Sequence, residues 1–245
     1  MIGMATTNDP GTSGIKDIAV ALGGGLKERS FVIIEGEAKT GKSVLCQHIA
    51  YGILSNRGSA VAYYSSEYHT DGLTAQMGSM SLDTREYLED DYLRVFKIYS
   101  KTVVREAQKS LRLIINHIQG LPPRFKLFII DSPSVYLARV NPMIKADFLH
   151  SCKELCDTGR TIVMAIDSSA VDSKSLYRAN SISDYYLKLR TDDPILETGK
   201  LDTRIIKILE VTKIGGAERY GNQGVKFEIK PHAGIQILPF IRIRV

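Results

Sequence analysis

Short apolar runs alternate along the chain with longer stretches whose apolar residues recur every three or four positions. Phe31-Val32-Ile33-Ile34 is the first such run, with charge before it and glycine after. A β-branched run without polar alternation predicts a strand buried on both faces. From Ser43 onward Val44, Leu45, Ile49, Ile53 and Leu54 fall at helical spacing, and Asn56-Arg57-Gly58 supplies the stop. Ala60 to Tyr64 reads as a second strand, Thr70 as the cap of a short helix carrying Leu73 and Met77, and Tyr92 to Tyr99 as a third strand. Val103, Val104, Ala107, Leu111, Ile114, Ile115 and Ile118 mark a long amphipathic helix that Gly120 and Pro122-Pro123 end. Strand Phe125 to Ile130, a helix from Met143 to Cys156 closed near Gly159, and strand Thr161 to Ile166 continue the series.

Strands alternating with helices imply βαβ crossovers and a mostly parallel central sheet flanked by helices. After Tyr185 the pattern changes: Tyr185-Leu187-Leu189, Arg204 to Thr212, Val225 to Ile229 and Ile235 to Val245 follow one another without helical stretches between them. That part is predicted to be antiparallel and to extend the sheet edge. Residues 1–14, rich in Thr, Asn, Asp, Pro and Gly, read as a flexible leader, and 15–245 as a single α/β domain.

Composition narrows the classes. With 44% hydrophobic and 24% charged residues in 245, the chain can bury a full core. Its 32 Lys and Arg against 27 Asp and Glu leave +5, spread along the chain as on an ordinary solvated surface. The three cysteines form no paired framework, which fits a reducing cytoplasm. Cys152 and Cys156 with His150 lack a fourth ligand and zinc-type spacing, so they read as core thiols. No window approaches the roughly 18 apolar residues of a spanning helix, so membrane association would be peripheral or through a partner.

The chemistry lies between the first strand and the first helix. Gly36-Glu37-Ala38-Lys39-Thr40-Gly41-Lys42-Ser43 matches the P-loop pattern. Such a loop turns successive backbone N–H groups onto a phosphate at a helix N-terminus. Lys42 is expected to bridge β- and γ-phosphates and Ser43 to give its hydroxyl to Mg²⁺, the nucleotide-binding stretch running from Gly36 through Val44. A magnesium-nucleotide site also needs a carboxylate at the end of a neighbouring strand, and Asp131, closing Leu127-Phe128-Ile129-Ile130, is placed for it. Glu67, beyond the Ala60 to Tyr64 strand, is the candidate to orient an attacking water. Asp167 or Ser168 is a weaker candidate for sensing the γ-phosphate.

Ile18 to Leu26 with Gly23-Gly24-Gly25, the P-loop, the Asp131 strand and Thr161 to Arg190 together resemble the RecA/KaiC-like ATPases. Two stretches, Ser173 to Asp184 and Val211 to Arg219 leading into Gly234-Ile235, resemble the archaellum accessory branch of that family over Ile15 to Pro239. The resemblance implies a RecA-like core that binds ATP between subunits and forms a hexameric ring. It implies a place in the cytoplasm beneath the membrane-embedded archaellum motor, with the motor ATPase FlaI and a cytoplasmic scaffold as partners, and weak or absent hydrolysis. Two features depart from the hydrolysing relatives. Where they place two adjacent acids, this chain has Ser66-Glu67, and where they place a Lys-x-Arg finger reaching the neighbour's γ-phosphate, it has Lys213-Ile214-Gly215, so the arginine is missing unless Arg219 substitutes. Lys213 can still serve as the trans residue. Loss of such a finger slows nucleotide hydrolases by orders of magnitude, which suits a nucleotide-gated regulatory subunit. The alternatives are an active ATPase or autokinase and a recombinase-like DNA-binding protein. The last lacks a basic groove with interleaved aromatics.

Overall fold

A computed structural model describes residues 7–8, 18, 22, 24–56, 58–98, 106–192, 205–215, 217–218 and 224–238. Strands β1 (Thr7–Asn8) and β2 (Leu26–Lys27) pair antiparallel, so part of the expected leader is a strand. The rest of 1–14 lies outside the described residues. The buried run forms β3 (Phe31–Gly36), which leads into α1 (Lys42–Ser55). Next come β4 (Ala60–Ser65), α2 (Thr70–Gly78), the short α3 (Arg85–Glu89) and β5 (Leu93–Lys97). Thr70 is the first residue of α2, with His69 at the cap and no side-chain capping bond. The amphipathic helix is α4 (Ala107–Gly120); its expected start at Val103 and Val104 lies outside the described residues.

β6 (Phe125–Asp131), α5 (Ser134–Leu137) and α6 (Pro142–Asp157) follow. Asn141 caps α6 by accepting from the Ile144 N–H at 3.0 Å, with proline in the first helical position where its missing N–H costs nothing. β7 (Thr161–Asp167) is followed by α7 (Ser173–Ile182), capped by Asp172, whose carboxylate accepts from the Ser175 N–H at 3.0 Å. The chain then forms β8 (Tyr185–Asp192), β9 (Ile206–Ile214), β10 (Ala217–Glu218), β11 (Val225–Lys230) and β12 (Gly234–Ile237). Residues 239–245, the rest of the last predicted strand, lie outside the described residues.

These strands make one sheet in the order β12-β11-β9-β8-β3-β7-β6-β4-β5, with β10 on β9. The strands from β8 to β5 run parallel, and β9, β11 and β12 extend the sheet antiparallel. This is the α/β architecture expected, with one refinement. The antiparallel part begins at β9, because β8 runs parallel to β3, pairing Tyr185 with Val32 and Leu189 with Gly36. Helix α7 supplies the crossover. Its apolar stripe is short, Ala179 buried with Leu176 and Ile182 partly buried against the core, and the polar residues between them mask it.

One face of the sheet packs Ile34, Tyr63, Leu127 and Leu209 against Leu45, Ile49 and Ile53 of α1 and Leu73 and Met77 of α2. The other packs Phe31, Ile33, Phe128 and Ile162 against Leu111 and Ile115 of α4 and Phe148 and Cys152 of α6. Cys46, Cys152 and Cys156 are free and buried, and His150 is exposed. Among the described residues no group of His, Cys, Asp and Glu is clustered to hold a metal ion, and no helix is long and apolar enough to cross a membrane. The parallel register brings Gly36 level with Asp167 and Ser65 level with Asp131, so the strand ends open on one edge, where open α/β sheets bind ligands.

Candidate functional site

The loop from Gly36 to Ser43 joins β3 to α1 along that edge. Its path requires glycine at both ends. A Cβ on Gly36 would stand 2.5 Å from the Leu189 carbonyl oxygen of β8, and Gly41 takes φ +100 at the N-terminus of α1. Lys39 also adopts a left-handed backbone, φ 66. Thr40 braces the turn by donating its hydroxyl to the Glu37 carbonyl at 2.8 Å. Glu37, Ala38 and Lys39 are exposed, whereas Thr40 and Lys42 are buried and Ser43 and Val44 partly so.

Lys42 folds back over the loop, donating from Nζ to the carbonyls of Gly36 at 2.8 Å and Glu37 at 2.6 Å. Burial lowers its pKa, against the opposing charges of Asp167, Asp131 and Glu67. Ser43 Oγ donates to Asp131 Oδ1 at 3.0 Å, and the other carboxylate oxygen accepts from the Tyr63 hydroxyl at 2.7 Å. Burial raises the Asp131 pKa, and the hydrogen bonds from Tyr63 and Ser43 counteract it. Sequence and structure therefore agree in bringing Lys42, Ser43 and Asp131 together. The Ser43 hydroxyl and the Asp131 carboxylate are oxygen donors of the kind a hard divalent cation takes.

Glu67 stands just past β4, its side chain exposed, and its charge acts on both Lys42 and Asp131. The Ser65 hydroxyl accepts from the Glu67 and Tyr68 N–H groups at 3.2 and 2.9 Å and so fixes the turn that carries it. Asp167 at the end of β7 accepts from Ser169, and the Ser168 N–H bonds the Gly36 carbonyl at 3.1 Å. Hydroxyls of Ser66, Ser132 and Ser134 tie these strand ends together.

Lys213 is held away from the loop of its own protomer. Strand pairing slips by one residue between Tyr186 and Leu187, turning Lys213 onto the face that Tyr186 occupies. There its Nζ donates at 2.8 Å to the carbonyls of Asn180 and Ser181 at the C-terminus of α7, where a helix dipole welcomes a cation. Gly216 and Arg219 lie outside the described residues. Two side chains escaped sequence reasoning, Tyr63 on Asp131 and Lys207 of β9, whose Nζ bonds the Lys39 carbonyl at 2.6 Å.

A P-loop at the edge of a parallel sheet, with a strand-end aspartate on its serine, defines a nucleotide-binding ATPase fold. The chain belongs to the KaiC family of ATPases, whose family model, described as "ATPase: KaiC", matches residues 11–240. Within it the resemblance to the archaellum accessory branch is borne out by similarity to archaeal flagellar ATP-binding protein FlaH. The FlaH of Sulfolobus acidocaldarius is 28% identical over 220 residues, covering 88% of this chain and 91% of that protein. The FlaH of Methanocaldococcus jannaschii is 42% identical over 83 residues, 34% of this chain and 35% of that one. Among solved structures, flagellar accessory protein FlaH of Methanocaldococcus jannaschii superposes with a TM-score of 0.75 at 22% identity, covering 91% of this chain and 96% of its own. A KaiC-like protein of Pyrococcus horikoshii gives a TM-score of 0.67 at 19% identity, covering 93% and 97%. At these identities the two structures speak for the fold.

Proposed function

We propose that the chain is an ATP-binding regulatory subunit of the archaellum motor, forming a nucleotide-dependent homo-oligomeric ring, a hexamer, in the cytoplasm. Its partners are the motor ATPase FlaI and the cytoplasmic motor scaffold, and it lies peripheral to the membrane-embedded motor. The observation that carries the reading is Ser43 joined to buried Asp131 beside a P-loop lysine, in a chain similar to FlaH over most of its length. The backbone of Gly36 to Ser43 takes the phosphates, and Lys42 exchanges its loop carbonyls for phosphate oxygens. Ser43 and Asp131 hold Mg²⁺, which supplies positive charge against the phosphates. Val44, partly buried, ends the nucleotide-binding stretch. Lys213 serves a neighbouring subunit in trans, and Glu67, a single acid, supports at most slow hydrolysis.

An active ATPase is the second reading, favoured by the place of Glu67 just past β4, whose end lies level with Asp131 at the edge that carries the loop. Calorimetric titration with ATP and Mg²⁺, paired with a phosphate-release assay, separates the two. Lys42→Ala abolishes binding under both readings, and unchanged affinity in that variant would remove the loop from the function. Glu67→Gln keeps ATP binding; a fast wild-type turnover that collapses in this variant would establish the enzyme.

A further inference from the structure

A second lysine reaches the phosphate loop, and it comes from the antiparallel side of the sheet. Lys207, the second residue of β9, is 7% exposed. Its Nζ donates to the Lys39 carbonyl at 2.6 Å. Its Cδ lies 3.4 Å from where a Cβ on Gly41 would stand, beside Ile229 at 3.0 Å and Phe227 at 3.7 Å, so the stem is packed against the loop. An ammonium has three hydrogens to donate, and among the described residues this one meets a single neutral acceptor and no carboxylate.

The other buried lysines are better provided for. Lys145 pairs with Asp172 at 2.5 Å, and Lys42 and Lys213 each meet two carbonyl oxygens. Burial alone lowers the Lys207 pKa. A buried cation is expensive unless an opposite charge answers it, and the nearest place built to take an anion is the loop that Lys207 already touches.

We propose that Lys207 is a phosphate-compensating residue in cis: it donates to the polyphosphate of the nucleotide in the loop, with the Lys39 carbonyl as its partner in the free protein. The proposal rests on the nucleotide reading of the loop. It makes β9 part of the binding site, so occupancy is felt directly by the antiparallel extension.

Lys207→Met keeps an apolar stem against Gly41 and removes the charge. On the full chain, the thermal midpoint without nucleotide and the affinity for ADP and ATP with Mg²⁺ at low and high salt are measured. The free variant melts at or above the wild-type midpoint, because an under-compensated cation has gone. Affinity for both nucleotides falls about tenfold or more, the scale of one hydrogen bond to a charged group, and its salt dependence becomes shallower. Lys207→Arg, which keeps the charge, retains most of the affinity. Lys126→Met, at an exposed position near the start of β6, keeps the wild-type affinity and controls for net charge. A lysine that merely buttresses the loop gives the opposite signature, a lowered midpoint with unchanged affinity, and that result overturns the proposal. Absence of nucleotide binding by the wild type would instead defeat the reading of the loop itself.

Discussion

Asp131 is the residue on which the charges around the loop converge. Burial disfavours its carboxylate form, while the hydroxyls of Tyr63 and Ser43 favour it by donating to one oxygen each. Tyr63 is itself fully buried and its own pKa is pushed up, first by burial and then by the Asp131 charge, so it remains a donor. Removing the Tyr63 hydroxyl leaves one donor on the carboxylate and raises the Asp131 pKa further. Tyr63→Phe is therefore expected to weaken Mg²⁺-dependent nucleotide binding most at mildly acidic pH, shifting the pH profile of the apparent affinity upward; a profile superimposable on the wild type would exclude the role. Lys42, Ser43 and Asp131 were legible in the sequence because the motif and a strand end fix where their backbones go. Tyr63 was not, since a tyrosine within Ala60 to Ser65 reads as core packing. Lys207 reads as the solvated face of an alternating strand, and nothing local reveals that β11 and the loop close over it.

At the scale of elements, α1 is tied at both ends of its first two turns. Its N-terminus receives the loop, and one turn and a half further on His48 Nε2 accepts from the Ile235 N–H of β12 at 3.1 Å. Gly234, with φ +63, leaves the room the ring needs. Accepting that bond requires an unprotonated Nε2, and burial lowers the His48 pKa to about 4. Unfolded, the same side chain titrates near its ordinary 6.5, so below that pH the unfolded chain binds the proton first. Stability is complete above pH 6.5 and falls as the pH approaches 4, by up to about 3 kcal/mol. Urea denaturation across that range should show the slope, and His48→Gln, which keeps an acceptor and loses the titration, should flatten it. Elements buried on both faces, such as β3, β4, β6 and β7, were plain from their unbroken apolar runs. α7 and α5 were not, the first because its stripe is only Leu176, Ala179 and Ile182 among polar residues and the second because Ser134–Leu137 is a single turn. The parallel pairing of β8 depends on the α7 crossover and is invisible in the alternation of Tyr185, Leu187 and Leu189.

Over the whole molecule, the sheet separates two lysines of one strand. Lys207 faces the loop and α1, while the slip opposite Tyr186 sends Lys213 to the far face and onto the end of α7. A residue serving its own site and a residue serving a neighbour's would need this separation, since a subunit in a ring presents its loop to one neighbour and a different surface to the other. For Lys213 to reach a partner's γ-phosphate it must leave the Asn180 and Ser181 carbonyls, so ATP favours the assembled form only by the excess of the new contact over the old. Light scattering with ATP, with ADP and without nucleotide is expected to show the large species with ATP alone. Lys42→Ala stays small in all three conditions. Lys213→Ala binds ATP with wild-type affinity as a separate subunit yet assembles at higher protein concentration, and the loss of the α7 contact lowers its stability by about 1–2 kcal/mol. If Lys213→Ala loses only stability and assembles as the wild type does, Lys213 is a helix-end residue, and the neighbour's phosphate is met by something else.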